Sequence, residues 1–521
     1  MYILITFVVF FLSIAAIVAL RLTRPGVSFT WLGAAGGGLL AWISVLLWQL
    51  GLPRQFTLGQ WSPQTLFSAS PQLLANPLSW LYALSLCGLA AAVILTSPAR
   101  GAQVATASWL GTLALTSLGL VAVLVDNPIG LVLAWMAMDL TELALAVRSR
   151  PTAALSRSVV LAFSVRMAGI GFAVWASVFG TSSGLPFSLE TAPPQAGIFL
   201  LVAAGLRLGV LPLHLVSLDD PSLRRGFGTV LRMTGAVTGL MVLSRIPSGS
   251  LDSRWLLPLL AIAALAALYA GWRWLFSSDE LIGSPYWVIG MGALSLTASL
   301  SGNPAGATAW GVALILFGGI SCLYSSKQTG FTRALAVLGV LMLAFPFTLT
   351  ASGWQGVLPF SGLFLPLFLI AHAMLVAGYV RHILRPVEIQ LAELPSWAQA
   401  VYPVGLGILV MTVLLAGLWG WPGALNAGQG PIGVVSLLLC AGILVVLRRV
   451  PQLSVTRSFR PVAFAGAGLG TWIGVIPRLI QWAYELTGDF LAYVSGLLEG
   501  DGGLLWTLLL LVLLSIFLRG R

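Results

Sequence analysis

Ala196-Gly197-Ile198-Phe199-Leu200-Leu201-Val202-Ala203-Ala204-Gly205-Leu206-Arg207-Leu208-Gly209-Val210-Leu211-Pro212-Leu213-His214 is apolar over nearly its whole length, yet it carries an arginine, a proline and a histidine. A charge at that depth in a hydrocarbon-facing segment is costly unless it is partnered or lines a wet cavity. Pro212 removes a backbone donor, and such a break persists in a membrane helix only where protein or a polar cavity satisfies the freed carbonyl. Asp219, Asp220, Arg224 and Arg225 follow closely. A broken apolar helix with a buried cation marks either an ion path or a structural ion pair.

The rest of the chain repeats the apolar character of this stretch. Of its 521 residues, 58% are hydrophobic and 8% charged, and the mean hydropathy is +0.99. This composition excludes a soluble protein and predicts an all-α polytopic membrane protein. Runs of ~20 residues, enough to cross a ~30 Å hydrocarbon core, recur from end to end, about 17 in all with about 14 as the lower bound. They fall near 2–20, 29–51, 78–97, 104–125, 128–147, 158–180, 194–213, 227–244, 255–272, 284–301, 306–325, 334–351, 357–380, 400–420, 430–447, 461–484 and 503–518. With the N-terminus outside, alternate loops collect nineteen of the 26 basic residues, whereas the opposite loops hold only Arg54, Arg245 and Arg254. That asymmetry places the C-terminus in the cytoplasm. It also accounts for the net charge of +11 without a nucleic-acid partner, because the arginines form no dense patch.

Residues 1–20 lack a positive n-region and a small-residue cleavage site, so they read as a retained helix. No connection is long enough for a soluble domain; the longest are 52–77, 181–193 and 381–399. The last, with Arg381, His382, Arg385, Glu388 and Glu393 among apolar residues, reads equally as a surface helix or as a linker. Cys87, Cys322 and Cys440 lie in apolar spans without metal-ligand spacing, and no nucleotide-binding, metal or nucleophile arrangement appears, so no cofactor and no metal are expected. Glycines such as Gly36, Gly37, Gly38, Gly466, Gly468 and Gly470 serve close helix approach. Pro212 in one span and Pro346, within Phe345-Pro346-Phe347, in another suggest paired broken helices of a repeat-built protein.

Between 76 and 245 the motifs become specific. Leu124-Val125-Asp126-Asn127-Pro128-Ile129-Gly130 followed by Trp135, Arg207…Pro212-Leu213-His214…Asp219, Thr234-Gly235-Ala236-Val237-Thr238-Gly239…Arg245 and Asn76-Pro77-Leu78-Ser79-Trp80-Leu81 stand in order. They resemble the antiporter-like membrane subunits of respiratory complex I (NADH:quinone oxidoreductase) and of Mrp cation/proton antiporters, and the chain reads as a divergent member. The resemblance is good over 76–245, looser to about 380 and absent beyond. It implies two inverted five-helix repeats, at 104–245 and 254–381, three helices before them (1–103) and extra C-terminal helices after (382–521).

In the family so resembled, a Glu on the fifth helix pairs with a Lys on the seventh, and titratable residues on the eighth and twelfth pass protons onward. Here the Glu position after Trp135 is Met136, the Lys position is Arg207 and the eighth-helix position is Arg232. Arginine does not deprotonate in proteins, so neither cation passes a proton by titration. From Leu281 to Ser326 there is no charged residue, and none stands beside Pro346. Asp139 and Glu142, three and six residues beyond Met136, are expected to compensate, one of them pairing with Arg207. The alternative sets Glu142 against Arg148 or Arg166 near a helix end. His214, beside Asp219, is the best candidate for a group that changes charge near neutral pH; a satisfied hydrogen-bonding residue is the competing reading. His372 is either a last polar step of the second half or a hydrogen bond to a neighbouring helix.

The resemblance implies a membrane subunit of a proton- or cation-translocating complex of NADH:quinone oxidoreductase, hydrogenase or Mrp type. The pumping residues are partly lost, leaving a structural or half-channel role. Its partners would be other membrane subunits and protons or small ions, with quinone reached only through partner subunits. The chain would be at most a non-catalytic subunit of an oxidoreductase, in a cell (inner) or thylakoid-type membrane. The alternatives are a stand-alone secondary transporter or flippase, a membrane-embedded transferase, and a subunit of a bicarbonate or carbon-dioxide uptake complex, for which Arg207 and Arg232 would suit an anion.

Overall fold

The computed structural model describes residues 2–23, 30–57, 71–100, 106–149, 153–181, 188–215, 225–247, 253–326, 328–355, 362, 364–385, 390–419 and 429–449. The expected spans at 461–484 and 503–518, and Asp219, lie outside them. Fifteen α-helices follow one another among the described residues: α1 (Tyr2–Thr23), α2 (Thr30–Leu46), α3 (Pro77–Thr96), α4 (Thr106–Leu124), α5 (Pro128–Ser149), α6 (Ala153–Thr181), α7 (Pro194–Leu208), α8 (Phe227–Arg245), α9 (Ser253–Phe276), α10 (Glu280–Leu300), α11 (Pro304–Leu323), α12 (Thr329–Leu338), α13 (Leu365–Leu384), α14 (Ser396–Trp419) and α15 (Gly430–Arg449). Thirteen of the described helices are long and apolar enough to cross a membrane; α7 and α12 are shorter. The chain is a multi-pass helical bundle.

Local signals set several helix starts. Asn76 accepts from the Ser79 amide at 2.8 Å while the Ser79 hydroxyl accepts from the Asn76 amide at 2.8 Å, and Pro77 fills the first position of α3. Asp279 caps α10 by accepting from the Leu281 amide at 3.0 Å, and Asn303 caps α11 by accepting from the Gly306 amide at 2.8 Å.

Helices α3, α8, α10 and α11 are buried on nearly every side and form the centre. Around them α4, α5, α6 and α7 run in sequence, with α8 packed back on α4. Helix α13 packs back on α9, and α10 and α11 lie against α8.

Three local expectations are corrected. The connection 52–77 holds a two-stranded antiparallel sheet, β1 (Arg54–Thr57) with β2 (Gln72–Ala75), paired Arg54 to Ala75 and Thr57 to Gln72. Strand pairing satisfies backbone groups of a connection that is not helical. The break at 194–213 begins before Pro212: α7 ends at Leu208 because Gly209 takes the left-handed conformation, φ 70°, and the Val210 amide closes back on the Gly205 carbonyl at 3.0 Å. Pro346 does not interrupt a long span over 334–351. Helix α12 stops at Leu338, a tight turn occupies Gly339–Met342, and the chain through Pro346 is irregular.

Side chains satisfy that irregular backbone. The Thr350 hydroxyl donates to the Met342 carbonyl at 2.6 Å, and the Thr348 hydroxyl donates to the Phe345 carbonyl at 2.7 Å. His372 Nε2 on α13 lies 2.9 Å from the same Met342 carbonyl. Non-helical backbone at membrane depth is tolerated when it is satisfied in this way inside protein.

Candidate functional site: a guanidinium–carboxylate network inside the bundle

Arg207 occupies the last turn of α7 and is 1% exposed. Its Nη1 donates to Asp139 Oδ2 and its Nη2 to Asp139 Oδ1, both at 2.8 Å. This two-point contact from α7 to α5 matches the planar guanidinium to the planar carboxylate. Nε donates to the Thr238 hydroxyl of α8 at 3.3 Å, and the Arg207 guanidinium lies 4.3 Å from the centre of the buried Trp135 ring. One carboxylate, one hydroxyl and one π face therefore hold the cation.

Helical geometry explains why Asp139 takes this position. Trp135 and Asp139 are four residues apart, one turn of α5, and both point inward at 1% exposure or less, whereas Met136 is 39% exposed. Asp139 thus shares a face with Trp135 rather than with Met136. Gly239 lets α8 approach α7: a Cβ there would stand 3.3 Å from Arg207 Cβ and 3.2 Å from the Ala204 carbonyl oxygen.

Glu142, one turn further along α5, does not meet Arg207. It forms a two-point contact with Arg166 of α6, in which Nη2 donates to Oε1 at 2.9 Å and Nη1 to Oε2. Arg166 also stands 3.7 Å from Asp139 Oδ1. The four side chains form one continuous row, two carboxylates against two guanidiniums. The Arg207–Asp139 end is sealed, and the Arg166–Glu142 end is 12–13% exposed.

The other candidates are dispersed. His214 is buried at the broken end of α7, with Nδ1 2.8 Å from the Pro212 carbonyl oxygen. Arg232 is buried on α8. His372 sits on α13 between Trp310 and Trp354, ring centres 5.1 and 5.6 Å away.

Sequence reasoning did not assign a second cluster, at the junction of α4, α5, α8 and β2. Arg245 donates to the carbonyls of Leu74 at 2.8 Å, Val123 at 3.2 Å and Val125, and stands 3.6 Å from Asp126 Oδ1. Asp126 lies between α4 and α5, and its backbone also accepts from the Leu189 amide at 2.6 Å and donates to the Gln72 carbonyl at 2.8 Å. Burial raises its carboxyl to about 6, opposed by Arg245 and reinforced by Glu190. Its sequence signal was the Asp126-Asn127 pair ahead of α5 together with the terminal Arg245 of α8. Among the described residues no group of His, Cys, Asp and Glu could hold a metal ion.

The chain aligns over its whole length with 63% of a chain in the structure of the Mrp complex from Dietzia sp. DQ12-45-1b, at a TM-score of 0.69 and 15% identity. It aligns over 97% of its length with 99% of a chain of the membrane-bound sulfane sulfur reductase, an archaeal respiratory membrane complex, at 0.63 and 16% identity. A chain of respiratory complex I from Thermus thermophilus with bound aureothin is covered completely by 81% of this chain, at 0.60 and 18% identity. No protein-family model matches the chain, and no curated protein matches it by sequence. The chain shares its fold with a chain of each of these complexes, and it spans 63% of the Mrp chain.

Proposed function

We propose that this protein is a divergent antiporter-like membrane subunit of a multi-subunit complex of the Mrp, sulfane sulfur reductase or complex I kind, and that its first half does not pass protons through side-chain titration. The Arg207–Asp139 pair carries this reading. A lysine paired with a carboxylate can exchange a proton as its surroundings change, but a guanidinium gripped at both nitrogens keeps its charge. Its work is then mechanical: it ties α5 to α7 at the point where α7 breaks, while Thr238 and Trp135 fix its orientation. We read α4–α8 and α9–α13 as two repeats related by inversion. The arginines Arg207 and Arg232, standing where a titratable base is expected, support a scaffold role beside subunits that do translocate ions.

The test is the double variant Arg207→Leu/Asp139→Leu, which removes both charges together and leaves neither stranded. The complex that contains the variant should assemble, with its ion translocation unchanged. Normal assembly with translocation abolished would overturn the scaffold reading and make the pair part of an ion path.

A further inference from the structure

Two connections and the end of α8 meet at Asp126, in the turn between α4 and α5. The Asp126 amide donates to the Gln72 carbonyl of β2 at 2.8 Å, and its carbonyl accepts from the Leu189 amide at 2.6 Å. Val125 beside it forms an isolated antiparallel bridge with Leu73. Leu189, 1% exposed, opens a short turn, Leu189–Thr191, that leads into α7 at Pro194. Glu190, the next residue, accepts from Asn76 Nδ2 at 2.8 Å, which ties the same turn to the cap of α3. The head of α7 is thus fastened to the turn that precedes α5, as its end is fastened to α5 itself through Arg207 and Asp139.

The charges at this junction do not balance. Arg245 is committed to the Leu74, Val123 and Val125 carbonyls and stands 3.6 Å from Asp126 Oδ1, too far for a hydrogen bond. Asp126 Oδ1 accepts no hydrogen bond among the described residues, and Asp126 is 3% exposed. The charged groups that act on it are Arg245 from α8 and Glu190 from the Leu189–Thr191 turn. Strand β2, the end of α4 and the start of α5 contribute no charge, and 58–70 and 182–187 contain no titratable residue. With Asp126 protonated, Arg245 and Glu190 cancel. With Asp126 ionised, two carboxylates share one guanidinium, and the buried one has no donor of its own. Burial without donors disfavours the charged form of a carboxyl.

We propose that Asp126 is a proton-operated clasp: protonated, it leaves the Leu189–Thr191 turn closed on the α4–α5 turn and the head of α7 held; ionised, it loosens both. Opening the turn breaks the Leu189 bond, carries Glu190 away and lets water reach Asp126. The sign follows from linkage. The carboxyl of the closed form is raised to about 6, so the closed form holds its proton more tightly than the open one and loses ground as pH rises through about 6. Taking an ordinary carboxylate value for the open form, the ratio of open to closed rises about tenfold between pH 5 and pH 7.5.

Hydrogen–deuterium exchange of the full-length protein in detergent, followed by mass spectrometry of the peptide that contains Leu189, tests this. Exchange times are scaled for the intrinsic pH dependence of amide exchange. Protection of the Leu189 peptide should fall about tenfold between pH 5 and pH 7.5, while a peptide from the buried α11 keeps its protection. Asp126→Asn should hold the Leu189 peptide at one level across that range. Equal protection of the unaltered protein at both pH values overturns the proposal. So does a fall that α11 shares, which reports loosening of the whole bundle, or a fall that persists in Asp126→Asn. Glu190→Gln decides if Asp126→Asn fails to fold: removing the second negative charge should move the midpoint of the fall to lower pH, and an unmoved midpoint overturns the proposal.

Discussion

Removing Asp139 should do more harm than removing its partner. Asp139→Leu leaves the Arg207 guanidinium 1% exposed, with the Thr238 hydroxyl, the Trp135 face and the more distant Glu142 charge for support. Stranding one member of a buried pair costs ~3–5 kcal/mol, and the Trp135 contact recovers part of it, so about 4 kcal/mol is expected. Arg207→Leu strands Asp139 less severely because Arg166 is already 3.7 Å away, and about 2–3 kcal/mol follows. The double leucine variant removes both charges and should lose about 1 kcal/mol or less, a coupling of at least about 5 kcal/mol. Thermal denaturation in mild detergent, read as the fraction that remains monodisperse, resolves these differences. At about 1–2 °C per kcal/mol for a chain of this size, Asp139→Leu should melt about 4–8 °C below the unaltered protein and the double variant within about 2 °C of it. Additive losses in the double variant, or an Asp139→Leu midpoint within about 1 °C of the unaltered protein, would refute the reasoning.

Gly209→Ala should cost about 1 kcal/mol and lower the same midpoint, because alanine must adopt φ 70° to end α7. Gly311→Ala should destabilise severely, its Cβ falling 2.3 Å from the Tyr82 hydroxyl, whereas Gly235→Ala should be neutral or slightly stabilising, since a Cβ there meets nothing within 4 Å. Asp126 should give pH dependence of a defined sign. With its carboxyl raised to about 6, its contribution to stability is complete below the ordinary carboxylate value and is lost as pH rises through about 6. The unaltered protein should therefore gain heat resistance relative to Asp126→Asn between pH 7 and pH 5, and parallel curves for the two would contradict this.

Much of the bundle was legible in the sequence because an uninterrupted apolar run of membrane length has one solution, a helix that satisfies its own backbone. The reading erred where apolar composition and helical backbone part company. Ala344-Phe345-Pro346-Phe347-Thr348-Leu349 is as hydrophobic as its neighbours, and what makes it irregular is the set of hydroxyl bonds from Thr348 and Thr350 and the His372 contact, none of which hydropathy records. At the site, arginine in place of a titratable residue was visible at once. Which carboxylate met which cation was not. Asp139 and Glu142 are nearly one turn apart, and the choice depended on the azimuth of α6, which delivers Arg166 to Glu142 and leaves Asp139 to Arg207. Trp135 could have been found by its spacing, since a residue one turn before an inward carboxylate faces the same cation.

The most direct test of the central claim is affinity purification of the tagged full-length protein in mild detergent, with mass spectrometry of what accompanies it. Stoichiometric recovery of further integral membrane subunits, at least one with a titratable lysine–glutamate pair in the same fold, is the predicted result. A stable, monodisperse protein that purifies alone and catalyses ion exchange when reconstituted by itself would contradict the account.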